Sequence, residues 1–319
     1  MGSSLEVLRE LPDSSIHCCV TSPPYWGLRD YGVEGQLGLE KTPEEYVQKM
    51  VDLFREVRRV LRDDGTLWLN LGDTYAAGGL GRPGSSKQAS NYGSCHGSHI
   101  AKTRLVPMGL KPKDLVGIPW LVAFALRADG WYLRSDIIWA KGNPMPESVT
   151  DRPTKAHEYI FLFAKSERYF YDVDAIREPH THKDAVRNTG DWAKSVKEPG
   201  YADALPEAKK ANRSCAMSRP KDYIGNINGR NKRTVWNINT KPFSEAHFAV
   251  FPPDLIKPCI LAGCPEGGIV LDPFMGAGTT AVVCANLGRN YIGIELNPEY
   301  VHIANERIKH ATRQERLFI

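Results

Sequence analysis

Long apolar runs are missing from this sequence. No stretch of its 319 residues approaches the roughly 20 consecutive apolar residues that a membrane-spanning helix requires. The first residues show no secretory signal. The seven cysteines are odd in number and scattered, which does not match a disulfide framework. These absences predict a cytoplasmic protein of a reducing compartment with no membrane partner.

A recognisable set of metal ligands is also missing. Cys95, His96 and His99 lie close together in the sequence, but no fourth ligand stands at a typical spacing. We therefore expect no metal site. Internal repeats and coiled-coil heptads are absent as well, which excludes repeat and fibrous architectures.

Acidic residues are missing from one long segment. Residues 76–113 contain six Lys or Arg and no Asp or Glu, in a Gly/Ser-rich context, and residues 177–233 carry a balance of +6. Because the net charge of the whole chain is only +4, the residues outside these two segments carry a net charge of −8. Positive charge confined to two segments attracts a polyanion such as nucleic acid. The alternative is that both segments are solvated loops.

The rest of the chain alternates between strand and helix patterns. Thr42 before Pro43, with acids in the next turn, predicts a helix start, and apolar residues at helical spacing follow to Leu61. Strands alternating with helices predict a parallel sheet covered on both faces. We predict strands at 18–22, 66–71, 131–139, 157–163, 268–271 and 291–295. Helices are expected at 5–11, 42–61, 118–128, 243–262, 279–287 and 299–310.

The first strand runs into the motif Thr21-Ser22-Pro23-Pro24-Tyr25-Trp26. Two consecutive prolines fix φ and remove two backbone donors, so the strand must stop and a rigid loop must follow. That loop carries a hydroxyl, outward carbonyls and an aromatic ring. Such groups hold a flat heterocycle by its face and accept hydrogen bonds from its amino group.

A second motif, Leu271–Thr280, follows a strand near the other end of the chain. Gly276 and Gly278 lack a Cβ, so a ligand can approach the backbone closely. The helix that opens at Thr279 presents N–H groups suited to a carboxylate. Glu295 ends the next strand, where a carboxylate can bind both hydroxyls of a ribose, as in dinucleotide-binding folds.

The two motifs together resemble the beta group of DNA amino-methyltransferases, which use S-adenosylmethionine. The resemblance implies a Rossmann-like class I methyltransferase fold, with a mostly parallel seven-stranded sheet, helices on both faces and a permuted motif order. It implies a catalytic domain at 1–171 and 240–319, with an inserted basic target-recognition region at 172–239. The 76–113 loop would be a DNA-contacting arm.

The resemblance also implies roles for individual residues. The catalytic loop is Ser22, Pro23, Pro24 and Tyr25, with Ser22 Oγ and the Pro23 carbonyl accepting from the target amine. Trp26, Arg29, Arg230, Lys232 and Arg233 are expected to contact DNA. The S-adenosylmethionine site is expected to include Asp272, Phe274, Gly276, Gly278, Thr279, Thr280, Glu295, Asn297, Phe248 and Phe251.

Ser22 before the prolines favours cytosine N4 as the target, with adenine N6 as the alternative. Methylation of RNA or of a protein amide, or an inactive DNA-binding protein, are further alternatives. The expected partner is duplex DNA. A cognate restriction endonuclease, a homodimer and a prokaryotic or phage origin, close to the nucleoid, also follow from the resemblance.

Overall fold

A computed structural model describes residues 2–28, 30–76, 109–179, 229–241 and 250–315, with side chains to residue 311. The chain forms two compact units. One comprises residues 1–172 and 233–319, and the other comprises residues 173–232. None of the described helices is long and apolar enough to cross a bilayer.

Seven strands of the described residues form one sheet in the larger unit. They are β1 (Ile16–Thr21), β2 (Leu61–Leu71), β3 (Tyr132–Ala140), β4 (His157–Ala164), β5 (Val235–Asn237), β6 (Ile269–Asp272) and β7 (Asn290–Gly293). Their order is β5-β3-β4-β2-β1-β6-β7. β4 runs antiparallel to β2 and β3, and all other neighbours are parallel. The prediction of a mostly parallel seven-stranded sheet is confirmed.

The helices of the larger unit are close to those predicted from periodicity. They are α1 (Ser4–Glu10), α2 (Pro43–Val60), α3 (Ile118–Ala128), α4 (Pro253–Gly263), α5 (Thr279–Asn286) and α6 (Pro298–Glu315). Thr42 caps α2, because its Oγ1 accepts from the Glu45 N–H at 3.2 Å. α4 begins later than the predicted 243, and residues 242–249 lie outside the described residues.

Both faces of the central strand β2 are covered. Leu67 and Leu69 belong to the main core, together with Phe54 of α2. On the opposite face, Thr66 and Trp68 lie close to Gly263 of α4. This alternation follows from the two-residue period of a strand, and it accounts for the nearly continuous apolar sequence of β2.

The predicted end of the insertion, at residue 239, differs from the structure. Val235–Asn237 forms β5, an edge strand that pairs in parallel with β3, so the chain has rejoined the larger unit by Arg233. Trp236 is the one buried residue of this strand. Three residues with a single buried position are too short to show an alternating pattern, which is why the strand was missed.

The described part of the smaller unit consists of two short segments, 173–179 and 229–232. Glu178 and Arg230 exchange two backbone hydrogen bonds of 2.9 Å each. The Glu178 carboxylate lies 3.2 Å from the Arg230 guanidinium and 3.8 Å from the Lys232 ammonium. The two chain ends of this unit are therefore joined by a backbone bridge and by ion pairs.

Candidate active site

One edge of the sheet gathers the polar residues of both motifs. Ser22 follows the end of β1, Gly72 follows β2, Lys141 follows β3, and Glu295 lies just beyond β7. β4 is antiparallel, so it begins at this same edge, with Glu158 as its second residue. Ligands of open α/β sheets bind outside the carboxyl ends of the parallel strands. This edge is therefore the candidate active site.

A buried carboxylate joins the two motifs. β1 pairs with β6, and Thr21 Oγ1 donates to Asp272 Oδ1 at 2.7 Å across 251 residues of sequence. The other oxygen, Oδ2, accepts from Thr280 Oγ1 at 2.6 Å. The Phe274 N–H also donates to Oδ1, at 3.1 Å. One side chain thus ties the acceptor strand to the cofactor strand and to the start of α5.

This environment changes the role predicted for Asp272. The side chain has no exposed surface, and its three hydrogen bonds come from the protein. We therefore place Asp272 beneath the site, where it positions the two motifs, rather than in direct contact with the cofactor. Burial raises the pKa of Asp272 to about 6, against the lowering effect of its hydrogen bonds.

The raised pKa of Asp272 predicts a pH effect on stability. The folded state holds the Asp272 proton more tightly than the unfolded chain, so this contribution to stability is present at low pH and is lost as pH rises through about 6. In Asp272→Asn the carboxyl group is gone. We expect the unfolding free energy of the wild type, relative to this variant, to fall by about 2 kcal/mol between pH 4 and 7.

Denaturant titrations at both pH values measure this difference. Asp254→Asn, which changes an exposed carboxylate of α4, is the matched control and should alter the difference by less than about 0.5 kcal/mol. Parallel stability curves for the wild type and Asp272→Asn would contradict a buried, proton-binding carboxyl group at this position.

The cofactor half is organised around the Glu295 carboxylate. Its Oε2 accepts from the Gly276 N–H at 2.9 Å, and its Oε1 accepts from the Asn297 N–H at 2.8 Å. Gly276 has φ +51°, and a Cβ placed there would meet nothing within 4 Å except the Phe274 carbonyl at 4.0 Å. A fixed carboxylate beside open space above a glycine fits a nucleoside whose ribose hydroxyls need an acceptor.

The other predicted cofactor residues have supporting positions. Gly278 packs against α6, since a Cβ there would lie 2.8 Å from the Ala304 Cβ. Thr279 Oγ1 accepts from Arg307 at 3.2 Å. Asn297 Oδ1 accepts from the Glu299 N–H at 2.9 Å, which caps the first turn of α6. Phe274 is partly buried in the loop between β6 and α5.

The segment before α4 also lies beside the cofactor loop. Phe251 is half-buried, and its neighbour Val250 packs against Ala277 and Tyr300. Phe248, which was predicted to line the same site, lies outside the described residues.

The acceptor half contains a polar cluster that surrounds the tyrosine of the motif. Tyr25 Oη lies 2.7 Å from Glu158 Oε2 and 3.4 Å from Ser22 Oγ. Asn70 Nδ2 donates to Tyr25 Oη at 2.8 Å, to Glu158 Oε2 at 3.2 Å and to Ser22 Oγ at 3.3 Å. The Lys141 ammonium pairs with Glu158 Oε1. Ser22 and Tyr25 are therefore fixed before any substrate arrives.

Asn70 has an additional property relevant to substrate binding. Its side chain is almost fully buried, and its Oδ1 has no hydrogen-bond partner among the described residues. A buried acceptor without a partner is costly unless a ligand or water satisfies it. The N–H of an incoming amine is a suitable donor for this oxygen.

The two prolines differ in their carbonyl environments. The Pro24 carbonyl already accepts from Tyr46 Oη at 2.9 Å. Burial raises the pKa of Tyr46, so this hydroxyl stays protonated and donates at neutral pH. Pro23 is buried at the end of β1, one residue after Ser22. The Pro24 carbonyl therefore supports the loop, which leaves the Pro23 carbonyl as the predicted acceptor.

The expectation that Trp26 contacts DNA is not supported by its position. Trp26 is 7% exposed and belongs to the main core. Its Nε1 donates to the Glu40 carbonyl at 3.0 Å. After the second proline the chain turns inward, and burial of the large indole ring stabilises that turn more than exposure would. Tyr25 is thus the aromatic residue of the motif that remains at the edge.

The sequence of the chain matches a known protein family. The model of the N6/N4-type DNA methylase family matches residues 16–306, which is most of the chain. The chain belongs to this DNA methylase family. The methylase is 49% identical over 309 residues to the type II methyltransferase M.XycI of Xanthomonas campestris pv. cyanopsidis, covering 97% of this chain and 86% of that protein. It is 48% identical over 308 residues to M.Cfr9I of Citrobacter freundii, with the same coverage.

Solved structures share the fold of the methylase. A Thermus thermophilus protein solved in complex with S-adenosyl-L-methionine aligns with a TM-score of 0.56 and 24% identity, over 98% of this chain and 94% of that one. The cytosine-N4-specific PvuII DNA methyltransferase aligns with a TM-score of 0.59 and 18% identity, over 98% and 90%. S-Adenosylmethionine is the cofactor of the methylase.

Four residues at the acceptor end of the site were not predicted as site residues of the methylase: Asn70, Lys141 and Glu158 of the polar cluster, and Gly72, which lies against the Tyr25 ring. Asn70 is the second-last residue of a predicted strand and Gly72 follows that strand, so the rule that ligands bind at strand ends could have identified them. Glu158 begins an antiparallel strand, so only the topology brings it to this edge. Asp73, at the same edge, caps α3 by accepting from the Gly117 and Ile118 N–H groups.

The predicted DNA-contacting residues of the methylase have different outcomes. Arg29 lies outside the described residues, as do most of the 76–113 loop and Cys95, His96 and His99. Arg233 is exposed, whereas Arg230 and Lys232 lie near the Glu178 carboxylate. Across the described segments, no three His, Cys, Asp or Glu side chains are grouped as metal ligands would be.

Proposed function

We propose that the methylase transfers a methyl group from S-adenosylmethionine to the exocyclic N4 of cytosine in duplex DNA. The cofactor supplies an electrophilic methyl group on a sulfonium. The observation that carries the proposal is the Thr21–Asp272 hydrogen bond of 2.7 Å. It holds Ser22, the residue after Thr21, beside the strand that leads into the cofactor loop.

The amino group of cytosine is a poor nucleophile, because its lone pair is delocalised into the ring. Acceptors for both N–H bonds draw the nitrogen toward a pyramidal geometry, and Ser22 Oγ and the Pro23 carbonyl are proposed to be these acceptors. A hydroxyl oxygen has two lone pairs. Asn70 Nδ2 donates to Ser22 Oγ at 3.3 Å, so one lone pair remains for the substrate. Catalysis then consists mainly of positioning and electrostatics.

Tyr25 is proposed to stack on the target base. A base inside a duplex cannot reach an enclosed edge of a sheet, so the nucleotide must rotate out of the helix. Burial raises the pKa of the Tyr25 phenol well above its usual value, so the ring stays neutral at working pH. A neutral, fixed aromatic face accepts any flat heterocycle, and for this reason it does not by itself distinguish cytosine from adenine.

Adenine N6 is the second candidate, since the same acceptors can bind its amine. The deciding experiment incubates the protein with S-adenosylmethionine labelled in its methyl group and unmodified duplex DNA, then analyses the nucleosides by mass spectrometry. We expect N4-methylcytosine. N6-methyladenine as the sole product would overturn the choice of base. Label in RNA or in peptide amides, with none in DNA, would overturn the substrate class. No transfer to any of them would indicate an inactive DNA-binding protein.

Duplex DNA is proposed to contact the cations Arg230, Lys232 and Arg233. The first two lie near one carboxylate, Glu178, so together they keep a net positive charge. Replacement of all three by Ala should weaken DNA binding and reduce the slope of log K against log salt by about 2 to 3. Fluorescence anisotropy between 50 and 200 mM NaCl measures the slope.

A charge-matched control accompanies this triple variant. Lys49, Arg62 and Lys257 are exposed cations on α2, β2 and α4, and their replacement by Ala removes the same charge elsewhere. An unchanged slope for the first variant, or an equal change for both, would remove the three residues from the interface.

The 76–113 loop is proposed as a second DNA-contacting arm, and residues from 172 toward Arg233 as the target-recognition region. We further propose action in the cytoplasm, close to the nucleoid, within a restriction–modification system that has a cognate endonuclease, and pairing as a homodimer. The two relatives named above are type II methyltransferases. Long-read mapping of modified bases in a host that expresses the chain identifies the target sequence.

A further inference from the structure

The position of the Tyr25 ring is determined from two sides. On one side the ring lies against Gly72, where an added Cβ would be 2.8 Å from Tyr25 Cδ2 and closer still to Cε2. At its far end the phenol oxygen lies 2.7 Å from Glu158 Oε2. An aromatic ring that is packed against the backbone on one side and tethered at its hydroxyl cannot rotate freely.

Glu158 is itself held in place. The Lys141 ammonium pairs with its Oε1, and both side chains are less than one fifth exposed. Lys141 in turn lies 4.4 Å from the centre of the Trp139 ring, which fixes the ammonium. Asn70 Nδ2 donates to Glu158 Oε2 at 3.2 Å. One oxygen of the Glu158 carboxylate pairs with Lys141, and the other accepts hydrogen bonds from Tyr25 and Asn70. The carboxylate therefore has little freedom to move.

We propose that Glu158 is a positioning residue that acts through Tyr25. It holds the phenol so that the ring is already in place to receive the target base, and Gly72 supports the ring from the side of β2. The inference rests on the proposed role of Tyr25 in stacking. The energetic argument is preorganisation, because a ring that is already fixed loses no rotational entropy when the base arrives.

Substitution of either partner tests the inference. Glu158→Ala and Tyr25→Phe each remove one side of the same hydrogen bond. Each should lower kcat/KM for DNA by roughly 10- to 100-fold, the range for a hydrogen bond to a charged group. The double variant should lose no more than the worse single variant, because both remove one interaction. Glu158→Gln keeps one acceptor oxygen for Tyr25 while its NH₂ faces the Lys141 ammonium, so its loss of kcat/KM should lie between those of the wild type and Glu158→Ala.

Three further measurements separate this role from general damage. The Kd for S-adenosylmethionine should change by less than about twofold in all variants. Glu56→Ala, which removes a partly buried carboxylate paired with Arg59 on α2, should keep wild-type turnover. Gly72→Ala leaves Glu158 intact but pushes the ring aside, and it should lower kcat/KM while a 2-aminopurine placed at the mapped target base reports less flipping.

Each result has a definite meaning. Additive losses in Glu158→Ala/Tyr25→Phe would show that Glu158 does not act through Tyr25. A Glu158→Gln variant as impaired as Glu158→Ala would show that the negative charge, not the acceptor, is required. Either result overturns the inference. If the wild type itself transfers no methyl group to DNA, the proposed function fails, and that failure is visible before any Glu158 variant is compared.

Discussion

Ser22→Ala is expected to lower kcat by about 10²- to 10³-fold, the loss typical of removing one preorganised polar contact from a transition state. The hydroxyl is the acceptor that the amine needs while its nitrogen becomes pyramidal, and alanine offers nothing in its place. The loops of the cofactor site are held by hydrogen bonds of Asp272 and Glu295, not of Ser22. The Kd for S-adenosylmethionine should therefore stay within about twofold of the wild type.

Ser15→Ala is the matched control for this experiment. Ser15 precedes β1 at the opposite edge of the sheet, and its exposed hydroxyl donates to the Pro12 carbonyl at 2.8 Å. This substitution removes the same hydroxyl group beside the other end of β1, so turnover should be unchanged. Single-turnover methyl transfer and calorimetric cofactor titration measure the two effects. Loss of cofactor binding in Ser22→Ala would contradict an acceptor-side role for this residue.

Glu295→Ala is expected to raise the Kd for S-adenosylmethionine by about 100-fold or more. The Glu295 carboxylate is the proposed acceptor for both ribose hydroxyls of the cofactor, and the variant loses both hydrogen bonds. The carboxylate also holds the Gly276 and Asn297 N–H groups, at 2.9 and 2.8 Å. Glutamine is not a conservative replacement here. Both oxygens of Glu295 accept from backbone N–H groups, so a side-chain NH₂ would face a donor on one side.

Glu299→Ala provides the control for the cofactor site. Glu299 is an exposed acid in the first turn of α6, four residues from Glu295, and its removal should change the cofactor Kd by less than about twofold. Glu295→Gln should raise the Kd about tenfold or more. An unchanged Kd in Glu295→Ala would exclude this carboxylate from the cofactor site, whatever happens to turnover.

Local patterns in the sequence were sufficient for much of the fold. The Thr42 cap, the proline after it and the apolar spacing to Leu61 predicted α2, which ends at Val60, because these signals depend only on neighbouring residues. β1 and β6 were readable for the same reason. β5 could not be predicted in this way, because a strand of three residues is stabilised only by its pairing with β3.

The two motifs could also be identified from the sequence, but the surroundings of their side chains could not. The sequence does not show that the Trp26 ring turns into the core while the Tyr25 ring stays at the edge. Nor does it show that Asp272 is enclosed beneath the site. Burial depends on which residues from elsewhere in the chain pack against a side chain, and that is a property of the assembled sheet.

Most of the helices and strands and the two loops were thus determined by the sequence itself, because chain stiffness, hydrophobic period and glycine placement act over a few residues. The cofactor class followed from the family resemblance of the two motifs. The partners of the acceptor loop were decided by the tertiary structure alone. Glu158 is 133 residues from Tyr25. It reaches the phenol only because β4 runs antiparallel beside β2, which turns the beginning of one strand toward the ends of the others.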